Sequence, residues 1–404
     1  MRRVVITGIG VVSALGNNTQ DFWTSLKNGR SGIQKMTKLD LPNLRFQNAA
    51  EVRGFNAEDY FDEKTLYWLD PFAQYGIVAA REAVRDSGIE FTAELKENAG
   101  VITGSCVGGK ETEDNLFRKL YAEGKERQPP TTIPKVMSNA VASHVSIEYG
   151  LTGATFTIST ACSSANHAIG QAFWLIRQGT LDAAITGGSE APLSNGHLQA
   201  WAMLRVVSPN TCRPFSKDRS GMILGEGGAM FVLETLEAAQ ARGAKIYAEI
   251  VGFGMSADAH HLTMPIAEGA AKAIRGALRD GNLQPQEIGY VNAHGTATQA
   301  NDPMETRAIR TVFGTHADQL AVSSTKSMHG HTLGAAGAIE AAATVLALQN
   351  SILPPTANFN EPDPECDLDV IPNEARPAEI EAAISNSFAF GGLNAVLAFK
   401  SWRK

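Results

Sequence analysis

The second half of this chain echoes the first, and that echo restricts its fold more than any other feature. Residues 4–12, a β-branched run cut by Gly8 and Gly10, have a counterpart in residues 249–255. Residues 101–104 are matched by 290–295, and residues 185–188 by 384–392. The stretch around Cys162 is matched by residues 323–326 and the helical run 335–348. The matches are of pattern rather than identity, but they fall in one order, which argues for duplication. Apolar strands alternate with helical stretches, so the expected class is α/β, with mostly parallel sheets covered by helices. Residues 1–244 and 245–404 are the expected halves, joined near Ala244-Lys245. In such a fold, sites form where strand ends of the two halves meet.

At 404 residues the chain is too long for one ordinary core. A hydrophobic fraction of 44% with 38 glycines suits a globular enzyme with many tight turns. The net charge of −7 signals no broad basic surface for nucleic acid. Cys106, Cys162, Cys212 and Cys366 are far apart and form no metal spacing, which fits a reducing, cytoplasmic setting. Arg2-Arg3 before an apolar run resembles a short signal peptide, but the glycines and β-branched residues read better as strand and turn. No apolar run approaches the ~18 residues that span a bilayer, so no membrane insertion is expected.

Cys162 falls between a β-branched run, 155–158, expected to be a buried strand, and an apolar helix, 165–178, closing at Gly179. It would sit on a tight turn at the helix N-terminus, where free N–H groups and the helix dipole lower a thiol's pKa. A lone cysteine is more often inert. Its candidate partners are His294 in Asn292-Ala293-His294-Gly295-Thr296, and Lys326 and His331 in Thr325-Lys326-Ser327-Met328-His329-Gly330-His331. If the halves are duplicates, these groups can converge on Cys162. A thiol beside two imidazoles suits acyl transfer. His329 reads as structural, and His260-His261 as loop or wall residues. No acidic or thiol partner stands at zinc-ligand spacing, so no metal is expected.

These motifs, with Thr160-Ala161-Cys162-Ser163-Ser164, Gly334-Ala335-Ala336-Gly337 and Asn386-Ser387-Phe388-Ala389-Phe390-Gly391-Gly392, resemble those of the β-ketoacyl-acyl carrier protein synthases. These are elongating condensing enzymes of the thiolase superfamily, and the resemblance covers nearly the whole chain. It implies a duplicated, five-layered α-β-α-β-α fold, a homodimer or close heterodimer, and no cofactor. It implies acyl and malonyl groups delivered by acyl carrier protein. Cys162 would be the acyl acceptor, His294 and His331 would bind the malonyl thioester, and Lys326 would hold His331, with Glu340 as its partner. The N–H groups of Cys162 and Phe390 would form the oxyanion hole, with Phe390 also the gate. Thr296, Thr298 and Val107 would contact substrate, Val107 at the pocket floor.

Ala389 and Leu393 depart from the family's gating loop, Gly-Phe-Gly-Gly-Thr-Asn. Near Lys64, the expected carrier-docking region reads Leu66-Tyr67-Trp68 rather than basic, which points to a dedicated carrier or partner subunit. Lys125, Arg127 and Arg205 are further candidates for meeting an acidic carrier. Residues 161–167, 354–358 and 366–369 also resemble condensing enzymes of specialised acyl pathways, including those making the unsaturated acyl chains of nodulation signals. A degradative thiolase would need a second cysteine where Phe390 stands. A coenzyme A-primed enzyme would carry Asn in place of His331. A non-catalytic chain-length subunit would lack Cys162. A cysteine hydrolase would leave Lys326 and the paired histidines unexplained.

Overall fold

A computed structural model describes residues 1–402. Ten strands form one continuous sheet: β1 (Val4–Ser13), β2 (Ala99–Gly104), β3 (Thr155–Ile158), β4 (Ala183–Glu190), β5 (Gly227–Thr235), β6 (Ala248–Ala257), β7 (Ile288–Asn292), β8 (Ala321–Ser323), β9 (Ala382–Ala389) and β10 (Leu393–Ser401). Their order is β8-β7-β9-β10-β6-β1-β5-β4-β2-β3. Read outward from the centre, the two halves have the same order, each strand of one matching the strand five places later in the other. They meet at a short antiparallel seam, where Val4, Val5 and Ile6 face Ile250, Glu249 and Ala248.

Each half pairs its strands in a mixed way. β2 lies parallel to β3 and β4, whereas β5 is antiparallel to β4 and β1. β7, β8, β9, β10 and β6 repeat that pattern. The expectation of mostly parallel sheets is therefore corrected. The central connection in each half runs the chain back beside itself, which antiparallel pairing requires.

Helices complete five layers. On one outer face lies α1 (Pro71–Ser87), packed on β1, β5 and β4. Its start is set by the Asp70 side chain, which accepts from Phe72 N–H at 3.1 Å, and by Pro71; its end is set by Gly88 in the left-handed region. The middle layer is α2 (Ser164–Arg177) against α6 (Ala336–Asn350), both contacting strands of both halves. Every residue of α6 from Ala336 to Leu348 is buried. Small residues make that possible: a Cβ on Gly337 would lie 2.5 Å from Asn166 Oδ1, and one on Gly170 would lie 2.4 Å from the Phe253 ring. The other outer face holds α4 (Ala267–Asp280) on β6 and β10, with α5 (Asn301–Phe313) beside it. Between α2 and α4 in chain order, α3 (Asn195–Leu204) brings Trp201 to the cavity wall.

A further expectation changes. β3 is an edge strand and is not buried: Thr155 and Phe156 are exposed, with Thr157 and Ile158 half-buried. The stretch 39–56, polar and irregular in sequence, tucks Leu44, Phe46, Ala49 and Val52 inside; Leu44, Phe46 and Ala49 pack in a cluster with Leu193, Leu198, Met222 and Leu333. Its irregular spacing hid that from any periodicity argument. No helix among the described residues is long and apolar enough to cross a membrane.

Candidate active site

The turn between β3 and α2 is tight, as its sequence predicts. Ala161 takes φ +50°, a strained value for a residue with a Cβ. Ser164 Oγ accepts from Thr160 N–H at 2.9 Å and donates to Ala161 O at 2.7 Å, locking the turn. Cys162 is thereby presented immediately before Ser163, which stands at the N-cap position of α2.

The second half supplies two rings. His294 follows β7, and its backbone N–H and that of Gly295 donate to the Glu305 carboxylate, each at 2.8 Å. Glu305, on α5, is fully buried and was not legible in the sequence; only its place one helix beyond the His294 motif hinted at it. His331 follows a short helix, Lys326–His329, and its N–H donates to Ile223 O at 2.6 Å. His331 Nε2 lies 3.1 Å from Cys162 Sγ. The two imidazoles stand edge to face, centroids 5.4 Å apart. The residues expected to meet from opposite halves therefore do meet.

Lys326 differs from expectation. Its ammonium donates to His294 O at 2.7 Å and faces His294 Nδ1 at 3.3 Å, while it forms a buried ion pair with Glu340. It holds His294, not His331, because the lysine chain runs toward the end of β7 while His331 turns to the sulfur. An ammonium can only donate, so His294 Nδ1 is an acceptor and its proton sits on Nε2.

Burial dominates the electrostatics. It pushes the Cys162 thiol up to about 11, against the pull of the Lys326 charge and of N–H groups of Phe390 and of Cys162 itself. The expected low-pKa thiolate is thus corrected: the helix start is real, but the desolvation of a cysteine only 8% exposed outweighs it. Burial, with the Lys326 charge, also holds His294 and His331 well below the ordinary histidine value. At rest the site is a neutral thiol facing neutral imidazoles, so the S–H donates to His331 Nε2. Burial raises the Glu340 carboxyl, and the Lys326 ammonium opposes that rise. Donor atoms of Cys162, His294 and His331 lie within 4.8 Å of one another, a spread that a cation could bridge. A metal needs the thiolate, which this burial disfavours.

These groups line a cavity of about 260 Å3. Thr296 and Thr298 line it too, their hydroxyls 3.0 Å apart, as do Phe390, Arg205 and His261. Val107 does not line this cavity; its N–H donates to the buried Glu190 carboxylate at 3.2 Å. His329 is buried and bonds Thr325 Oγ1 at 3.0 Å. The Phe390 loop bends at Gly391 and Gly392, with φ +84° and +67°. Two backbone bonds tie it to the loop at 258–262: Gly391 N–H to Leu262 O at 2.7 Å, and Asp258 N–H to Gly392 O at 2.9 Å.

A buried thiol and two imidazoles on opposed strand ends of a duplicated sheet define a thiolase-like condensing site. The models for the N-terminal and C-terminal domains of β-ketoacyl synthase match residues 1–239 and 247–360. The chain belongs to the β-ketoacyl synthase family and is a condensing acyltransferase. It is 47% identical over 399 residues to nodulation protein E of Rhizobium sp. (strain N33), covering 99% of each chain. It is 43% identical over 408 residues to 3-oxoacyl-[acyl-carrier-protein] synthase 2 of Staphylococcus aureus (strain COL), again covering 99% of each. Among solved structures, the ishigamide ketosynthase/chain length factor matches over 100% of both chains, with TM-score 0.95 and 37% identity.

Proposed function

We propose that the chain lengthens an acyl group by a decarboxylative condensation, with Cys162 as the acyl acceptor. The observation that carries this reading is the 3.1 Å contact of Cys162 Sγ with His331 Nε2, on a cavity wall shared with His294. In the first half-reaction, His331 Nε2 takes the thiol proton as sulfur attacks the carbonyl of an acyl thioester. The carrier's sulfur leaves and receives that proton, and the acyl group stays on Cys162. The N–H groups of Cys162 and Phe390, which already pull the thiol pKa down, stabilise the tetrahedral oxyanion. Such donors contribute roughly 2.7–4 kcal/mol each.

In the second half-reaction a malonyl thioester takes the carrier's place. Its carboxylate leaves as carbon dioxide, and the electron pair left behind passes into an enolate. His294 Nε2–H, with His331 beside it, hydrogen-bonds the thioester oxygen where that charge collects. Lys326 and Glu340 are positioning residues that keep His294 in this tautomer. The enolate carbon then attacks the acyl carbonyl, the bond to Cys162 breaks with its electron pair on sulfur, a proton from water restores the thiol, and a chain two carbons longer departs on the carrier. No cofactor enters this scheme.

Acyl carrier protein is the proposed carrier, as the Staphylococcus aureus relative's description suggests. Tyr67 and Trp68 are 50% and 45% exposed beside Lys64, which supports a landing patch suited to a dedicated carrier. Exposed Arg205 at the cavity mouth, with Lys125 and Arg127, would meet its acidic face. The open edge of β3 is the proposed seat of a second chain, another copy of this one; a related subunit would use the same edge. The halves are taken as residues 1–244 and 245–404. Four free cysteines fit a cytoplasmic setting.

The test is intact-mass detection of acyl adducts on the wild-type protein across a panel of acyl-carrier thioesters. A mass gain equal to one acyl group, located on the Cys162 peptide, is expected. No adduct with any thioester, or one located elsewhere, removes the reading. Equal efficiency with a general fatty-acid carrier would count against a dedicated one.

A further inference from the structure

Helix α3 sets His197 and Trp201 four residues apart, a spacing that brings side chains together. The Trp201 indole N–H donates to His197 Nε2 at 2.8 Å, which fixes the imidazole proton on Nδ1. Burial, joined by the Lys110 charge, pushes His197 down to about 4, so it remains a neutral acceptor at neutral pH.

The Trp201 ring lies against Phe390, with centroids 6.1 Å apart and planes 26° from parallel. Phe390 lines the same cavity as Cys162, and its backbone N–H pulls the thiol pKa down. The bonds from Leu262 and Asp258 hold the backbone of that loop, on two glycines in left-handed geometry, but they do not hold the ring. The ring's aromatic neighbour in the cavity wall is Trp201. Packing alone would account for the stack. It would not account for the indole bond, because ring stacking places no demand on the N–H. Bonding it to an imidazole on the same helix fixes the tilt of the indole plane.

We propose that His197 and Trp201 form a latch on the Phe390 ring, and that release of this latch governs how readily a thioester or any other electrophile reaches Cys162. The proposal deepens the condensing-enzyme reading and rests on it for the role of the cover. His197 and Trp201 act through Phe390 and are positioning residues. The latch is a property of this chain's own pair: loss of either the acceptor or the indole N–H frees the ring while leaving Cys162, His294 and His331 in place.

The rate at which iodoacetamide alkylates Cys162, read from the mass of its peptide in the full-length protein, tests this without requiring turnover. His197→Leu and Trp201→Phe are expected to react faster, by roughly two- to tenfold, the range that one net hydrogen bond supports. His197→Gln, which restores an acceptor, is expected to stay within about twofold of the parent. The pH dependence of alkylation keeps its shape in all three, because the latch changes access and not the thiol. Parent-like rates in both His197→Leu and Trp201→Phe would overturn the latch. So would a His197→Gln rate equal to that of His197→Leu, or a shifted pH profile. An altered alkylation rate in proteins that take no acyl group from any carrier thioester would leave the latch standing and remove the condensing reading instead.

Discussion

Strands β3 and β8 occupy the same place in the two halves of the sheet, at its opposite ends, and they have met different fates. β8 is fully buried. Its outer edge is sealed by the chain's own excursion between β8 and β9: Val322 N–H donates to Asp369 O at 2.8 Å, and Arg376 pins the Asp369 side chain at 2.8 Å. β3 has no such cover, and Phe156 is 37% exposed. An unpaired strand edge is a template for another strand. Duplication supplied two equivalent edges; one is closed within the chain and the other is open among the described residues. The chemistry follows the same division. The bare half carries Cys162, and the sealed half carries the two imidazoles and the buried Lys326–Glu340 ion pair.

Experiments can break this contrast, starting with the largest effect. Cys162→Ala should show no acyl adduct by intact mass, whatever the thioester, while His294 and His331 stay in place. Next come two matched substitutions. Val322→Asp places a charge in the sealed strand and should cost more than about 3 kcal/mol, read as loss of the cooperative thermal transition. Phe156→Asp places the same charge on the open edge; it should leave the fold intact and shift sedimentation toward monomer. A Phe156→Asp protein that sediments like the parent would end the argument from the open edge. Lys326→Met should lower turnover and cost roughly 3–5 kcal/mol, because it leaves the buried Glu340 carboxyl without a partner. Adding Glu340→Gln should recover part of that stability in the same melting experiment. The smallest effect is a slope. With the thiol near 11 and both histidines depressed, the thiolate fraction rises with pH across the neutral range. Alkylation of Cys162 should therefore climb roughly tenfold per pH unit between about pH 7 and about pH 9. A plateau near neutrality would signal a thiolate–imidazolium pair and sharpen the corrected point.

Much of the site was legible because it is written in short motifs. The strand-turn-helix around Cys162, and the loops bearing His294 and His331, each follow from local patterns of β-branched residues, glycine and alanine. What the sequence hid is pairing across distance. That Lys326 reaches His294 rather than His331 depends on where β7 ends in space. That Cys162 is a buried thiol depends on everything packed above it. The edge position of β3 could not be read from Thr155-Phe156-Thr157-Ile158, since a β-branched, aromatic run looks the same whether another strand belongs to its own chain or to a second one. Trp201 and His197 carried a visible spacing, but nothing local announced that Phe390, nearly two hundred residues later, would lie against the indole.

The central seam has a consequence for how such a chain is made. Val4 pairs with Thr235 on one side and Ile250 on the other, so the first strand to leave a ribosome finds its neighbours only after both have been synthesised. Contacts this remote in sequence slow folding and leave apolar surface waiting. The opening residues dock only once β5 and β6 have been made, and the imidazoles that face Cys162 follow later still, at His294 and His331.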